Sequence, residues 1–143
     1  MYIGNEGGGH GMNASLPLMI LLPLIMSAVS SENSPPIVAA GGVATGAQIA
    51  SLLTLGASGV ALGTRFLLSP ESLYSDVQRR ALVSADSSSS VRTMAFDHVR
   101  NTLAWPKGVD GRALRNGMLI FLFFIISSGL DFDLYPPPPY SDC

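Results

Sequence analysis

Three short stretches of this 143-residue chain carry residue types whose spacing could do chemistry. The first is Glu6-Gly7-Gly8-Gly9-His10-Gly11. Glycine neighbours have no side chains to cover a histidine, and an imidazole with a pKa of about 6.5 suits proton transfer at neutral pH. As a base, His10 must be neutral; the alternative is a glycine-rich segment in which it does nothing. No metal site is expected, because one His and one nearby Glu supply too few ligands. The other two stretches are Gly41-Gly42 and Gly63-Thr64. A glycine N–H can approach a phosphate closely because no Cβ stands in the way, and Thr64 adds a hydroxyl donor. Together they point to a phosphate or a phosphorylated cofactor without saying which. The plainer alternative is that these glycines only make tight turns between packed elements.

The surrounding pattern predicts how those stretches are held. Residues 37–40 (IVAA) read as a short buried strand ending at Gly41-Gly42. A helix follows, with Thr45 as its N-cap, Ile49, Leu52 and Leu53 on one face, and Gly56 at its left-handed end. Residues 59–62 (GVAL) read as a second strand ending at Gly63-Thr64. This is the size of a βαβ unit, whose strands are parallel. Both glycine turns then lie at the carboxyl edge of the sheet, where α/β folds bind ligands. The helix starting near Thr45 would aim its partial positive charge at the same place.

Elsewhere, residues 14–30 predict an apolar helix with Leu18, Leu21, Leu22 and Ile25 on one face, Pro17 in its first turn and a bend or restart at Pro23. Residues 69–83 predict another helix, capped by Ser69 and lined by Leu73, Val77 and Ala81. Residues 84–90 read as a polar loop and 91–116 as a mixture of short segments. His98 reads as a surface or packing residue, Trp105 as core or lid packing, and Arg79-Arg80 as a solvated helix face. Residues 117–143 break with this pattern: an apolar run is followed by Pro136-Pro137-Pro138-Pro139, which favours polyproline II.

Composition sets outer bounds. The chain is 48% apolar and 13% charged, with a formal charge of −2. That excludes a basic nucleic-acid binder. The single cysteine, Cys143, permits no internal disulfide framework and suggests a cytoplasmic or organellar interior. Residues 16–29 and 118–126 are apolar but shorter than the roughly 20 residues a membrane span needs. The residues before 14 lack the Lys or Arg of a signal peptide.

Taken in series, Glu6-Gly7-Gly8-Gly9-His10-Gly11, then residues 37–46 (IVAAGGVATG), then residues 56–66 (GASGVALGTRF) resemble the nitronate monooxygenase family, formerly called 2-nitropropane dioxygenases. The resemblance covers about residues 3–116. It implies an α/β fold: the C-terminal part of an FMN-binding (β/α)8 TIM barrel, incomplete, with an irregular C-terminal tail. A whole barrel needs about 250 residues, so the first half would precede Tyr2. Domain bounds are expected at 1–116 for the partial barrel and 117–143 for an apolar, proline-rich, disordered tail, the product of a truncated or mis-spliced gene model. By resemblance His10 is the catalytic base. Gly8 contacts flavin. Gly41, Gly42, Ala61, Leu62, Gly63 and Thr64 contact the FMN phosphate.

The implied reaction converts nitroalkanes or nitronates, with O2, into carbonyl compounds and nitrite. His10 holds or removes the proton next to the nitro group, and the flavin does the redox work. The expected partners are therefore this small-molecule substrate and O2, with no nucleic acid and no membrane span; the oligomeric state stays open. Two alternatives accompany this reading. One is an FMN-dependent enoyl-acyl-carrier reductase-like enzyme, which would need a nicotinamide hydride donor. The other is an inactive barrel fragment, since open strand edges favour aggregation; flavin absorbance after purification separates that case.

Overall fold

The computed structural model describes residues 2–29 and 34–117. The proline-rich segment and Cys143 lie outside the described residues. The chain begins with a three-stranded parallel sheet in the order β1-β3-β4, formed by β1 (Tyr2–Ile3), β3 (Val38–Ala40) and β4 (Gly59–Ala61). Ala39 lies opposite Tyr2 on one side and Val60 on the other, so β3 is the central strand. Its small residues Ala39 and Ala40 are buried, which suits a strand covered by helices.

Helix α1 (Leu18–Ala28) crosses from β1 to β3 and helix α2 (Gly46–Thr54) from β3 to β4. Leu18 and Leu22 of α1 are buried, with Ile25 packed beside them against Ile37, Ala39, Val43, Leu52 and Ala57. The helix runs through Pro23 without the restart the sequence suggested. Proline removes one backbone donor, and the carbonyl it would have served belongs to exposed Met19.

Helix α2 begins as its sequence predicts. The Thr45 hydroxyl accepts the Gln48 N–H, and the Gln48 side chain closes the reciprocal half of a capping box. It ends in a Schellman pair: Ala57 N–H donates to Leu52 O (3.1 Å) and Gly56 N–H to Leu53 O (3.0 Å). That turn needs φ = +102° at Gly56, a conformation costly to any residue with a Cβ. Leu53, expected on the packed face, is instead exposed, because the core touches only the Ile49–Leu52 side of the helix.

The second half departs further from expectation. Of the predicted helix over 69–83 only the second half is helical, as α3 (Asp76–Ser84); residues 69–75 are turn and irregular chain that follow a 3-10 turn, Thr64–Leu68. Ser75, not Ser69, caps α3, because Gln78 stands three residues on and completes a second capping box. Leu73 and Val77 are exposed. Arg79 is not simply solvated: its guanidinium donates to Ser72 O at 2.8 Å.

Residues 9–12 and 90–114 build an antiparallel sheet in the order β2-β6-β5. Its strands are β2 (Gly9–Met12), β5 (Ser90–Thr93) and β6 (Val109–Leu114), and α4 (Ala95–Arg100) lies between β5 and β6. Neither β1 nor β2 was expected, since a two-residue strand and a glycine-rich one carry little periodicity. No described helix is long and apolar enough to cross a membrane.

Core burial makes two adjacent leucines a clean contrast. Leu52 is 1% exposed and Leu53 46%. Leu52→Ala should cost about 2–5 kcal/mol and Leu53→Ala less than about 1 kcal/mol, read as shifts in urea midpoint at constant slope.

Candidate functional site

Parallel strands place their carboxyl ends on one edge, and here three loops meet there. Gly4 follows β1, Gly41-Gly42 follow β3, and Gly63-Thr64 follow β4 by one residue. Gly4 N–H donates to Ala40 O (2.9 Å), carrying the β1–β3 ladder into the loop. A Cβ on Gly41 would lie 3.1 Å from both the N and the O of Gly4 and 3.3 Å from Gly7 N. Gly41 also has φ = +110° and Gly42 φ = +68°. Glycine at this turn is therefore required twice, by conformation and by the touching backbone of the β1 loop.

The same contacts bring the glycine-histidine stretch to the rim. A Cβ on Gly8 would lie 3.4 Å from the Thr64 hydroxyl oxygen, so Gly8 and Thr64 face each other across the mouth. Glu6 ties the loop down. Both its carboxylate oxygens accept the Leu18 N–H, at 3.1 and 3.0 Å, at the start of α1. An acidic group at a helix N-terminus also meets the positive end of the dipole.

The remaining candidates sort by position. Ala61 pairs with Ala40 in the ladder, and Leu62 turns its side chain to the core, so each reaches the rim through its backbone. Gly63 is exposed with no atom near its missing Cβ. The start of α2 offers fewer donors than expected, because the Ala44 and Thr45 N–H groups already donate to Gln48 Oε1.

A cleft of about 360 Å³ flanks the other side of the loop, walled by Gly7, Gly8, His10, Met12, Leu21 and Arg92 among others. The turns after β3 and β4 do not line it. Arg92 is fully engaged there: it pairs with Asp110 (Nε to Oδ1, 2.6 Å) and donates to Asn5 O (3.3 Å) and Gly11 O (2.9 Å). It braces both ends of the glycine-histidine segment.

His10 lies on β2 opposite Gly111 of β6. Gly111 lacks the side chain that would press on the imidazole, its Cβ position being 3.4 Å from His10 Nε2. The imidazole has two partners that sequence reasoning missed or set aside, and a third residue, Thr102, holds one of them. Its Nε2 is 2.8 Å from Asp97 Oδ1. Its ring stacks on Trp105, centroids 3.8 Å apart at 13°. Trp105 Nε1–H and the Thr102 hydroxyl donate to the same Asp97 oxygen, at 3.1 and 3.0 Å.

Trp105 is thus a stacking partner rather than core packing. His98 is exposed, while its neighbour Asp97 is buried at 3% exposure. The only local hint was the sequence Asp97-His98, which cannot say which of the two turns inward. Asn101 explains how the group assembles. Its left-handed φ of 54° ends α4 and turns Thr102 back, so that Thr102 N–H donates to Asp97 O at 2.9 Å.

Burial pushes the Asp97 carboxyl up, but hydrogen bonds from His10, Thr102 and Trp105 and the attraction of the imidazolium more than offset it. Asp97 therefore titrates below its ordinary value of 3.8.

Three parallel strands with two crossover helices and a glycine-built carboxyl edge define a section of an α/β barrel, the edge at which such folds bind their ligands. The nitronate monooxygenase family profile matches residues 2–105, and this chain belongs to that family. It is 41% identical over 115 residues to nitronate monooxygenase npaC of Metarhizium robertsii, covering 79% of this chain and 32% of that protein. It is 39% identical over 94 residues to a (3aS,4S,5R,7aS)-5-hydroxy-7a-methyl-1-oxo-octahydro-1H-indene-4-carboxyl-CoA dehydrogenase of Mycobacterium tuberculosis, covering 66% of this chain and 26% of that protein. Among solved structures, nitroalkane oxidase from Streptomyces ansochromogenes superposes with a TM-score of 0.67 at 31% identity, over 98% of this chain and 36% of that one. The chain thus spans about a third of the length of the relatives it matches, and its fold is a partial TIM barrel. The matched residues stop at Trp105, before β6.

The lowered Asp97 value sets a pH prediction. The folded state holds this carboxylate more firmly than the unfolded chain does, so its contribution is full above about pH 4 and is lost as pH falls through the lowered folded value. Urea midpoints of the wild-type protein minus those of Asp97→Asn should therefore be largest above pH 4 and shrink below it. A difference independent of pH would show that Asp97 carries no charge-dependent stability.

Proposed function

We propose that the protein acts as an FMN-dependent oxidoreductase of nitronate monooxygenase type, taking nitroalkanes or nitronates and O2 to carbonyl compounds and nitrite. The observation that carries this reading is the convergence of Gly8, Gly41-Gly42 and Thr64 at one rim, with His10 two residues from Gly8. A mouth walled by backbone, the Thr64 hydroxyl and the stem of Glu6, whose carboxylate is turned to the Leu18 N–H, fits a phosphate, because nothing bulkier than hydrogen stands at Gly8, Gly41 or Gly42. In this reading Gly41, Gly42, Gly63 and Thr64 hold the charged end of FMN, Ala61 and Leu62 support that turn, and Gly8 lies along the flavin. When bound, the flavin would supply the electron-transfer chemistry that no side chain here can perform.

The protein's own part is proton chemistry and positioning. An ionised Asp97 only accepts hydrogen bonds, so a neutral His10 carries its proton on Nε2 and leaves the Nδ1 lone pair free. Nδ1 is then the atom that takes the proton from the carbon bearing the nitro group. Trp105 covers one face of the ring and keeps water from it.

A second reading shares this machinery. The relative named as a carboxyl-CoA dehydrogenase suggests a different activated carbon acid as substrate, and the reductase alternative would require a nicotinamide donor.

Nitrite release with saturating FMN and O2, and without NAD(P)H, tests the proposal. His10→Asn should slow turnover of a neutral nitroalkane by about 10²-fold or more. It should slow a preformed nitronate, which has already lost that proton, only a few-fold. Equal loss on both substrates would remove His10 from the base role. Absence of nitrite with either substrate would favour the second reading.

A further inference from the structure

Asp97 is the only buried charged residue among the described ones, and it lies far from His10 in sequence. Its Oδ1 collects three donors, His10 Nε2, Thr102 Oγ1 and Trp105 Nε1, while its buried Oδ2 has no hydrogen-bond partner among the described residues. Burying a carboxylate is costly unless it is well paired. A residue needed only to fill space here would be apolar. Trp105 touches the same histidine twice, through its stacked ring and through the oxygen both nitrogens share.

We infer that Asp97 and Trp105 are positioning residues for His10: Asp97 fixes the imidazole as its Nε2–H tautomer, while Trp105 holds the ring plane. This rests on the base role given to His10 above. The other charged side chains of the second sheet are engaged elsewhere: Arg92 on β5 is paired with Asp110, and Arg112, opposite Gly9 on β6, donates to Asn5 O and Ser90 Oγ. Among the described charged side chains, Asp97 is the one hydrogen-bonded to the imidazole.

The chain has two histidines, so long-range 1H–15N NMR of the imidazoles can follow each, with His98→Gln assigning them. At alkaline pH, where the imidazoles are neutral, His10 of the wild-type protein should show the Nε2–H tautomer. In Asp97→Asn the Nδ1–H form should become populated. Trp105→Phe keeps a stacked ring but removes the donor; it should retain the Nε2–H tautomer. A wild-type His10 that is Nδ1–H, or a tautomer ratio unmoved in a folded Asp97→Asn protein, would overturn the assignment. The wild-type spectrum decides the tautomer even if Asp97→Asn does not fold. These readouts need neither flavin nor substrate, so a lack of nitroalkane turnover alongside the expected spectra would count against the substrate and leave the positioning role standing.

Discussion

Backbone touching backbone at the carboxyl edge of the parallel sheet is the constraint on which the rest depends. Gly41 meets Gly4 and Gly7 so closely that a single methyl group would lie 3.1 Å from the Gly4 peptide. Because these turns cannot separate, the loop after β1 is pressed against the turn after β3, and Gly8 comes opposite Thr64. Strand β2 then leaves the rim and carries His10 to the second sheet. A side chain at Gly4, Gly7 or Gly41 would press on the adjoining chain and force these elements apart.

The histidine end is built on the opposite logic. There, side chains do the holding: a buried carboxylate, a hydroxyl and an indole surround one imidazole, and Gly111 makes room for it. The two ends are coupled through Arg92 and Glu6. Arg92 grips the carbonyls of Asn5 and Gly11 on either side of the glycine run, and Glu6 anchors the run to the first turn of α1. A glycine segment is thereby given fixed ends, as the base role proposed for His10 would require.

The parallel unit was readable in the sequence because its signals are local. Thr45 with Gln48, Gly56 after an apolar turn, and two short apolar strands closed by glycines each state their own structure within a few residues. The antiparallel sheet was not readable, because its logic is long-range. Residues 9–12 show no apolar alternation, and β6 explains them only from a hundred residues away. Asp97 was missed for the same reason. Nothing near it in sequence shows that it turns inward, whereas its exposed neighbour His98 drew the attention a histidine attracts. Likewise, Ser69-Pro70-Glu71 carries every local mark of a helix start, yet Ser75 wins because it alone has a glutamine at the third helical position.

The rim and the imidazole form one site only if a single ligand touches both. Backbone amide NMR during titration with FMN, and separately with riboflavin, tests this most directly. Both ligands should shift the signals of Gly8 and His10, whereas only FMN should shift Gly41, Gly42, Gly63 and Thr64, since only it carries the phosphate. If FMN leaves those four amides unmoved while perturbing Arg92 and Met12 in the cleft beyond the loop, the glycine turns are not the phosphate mouth and the account is wrong.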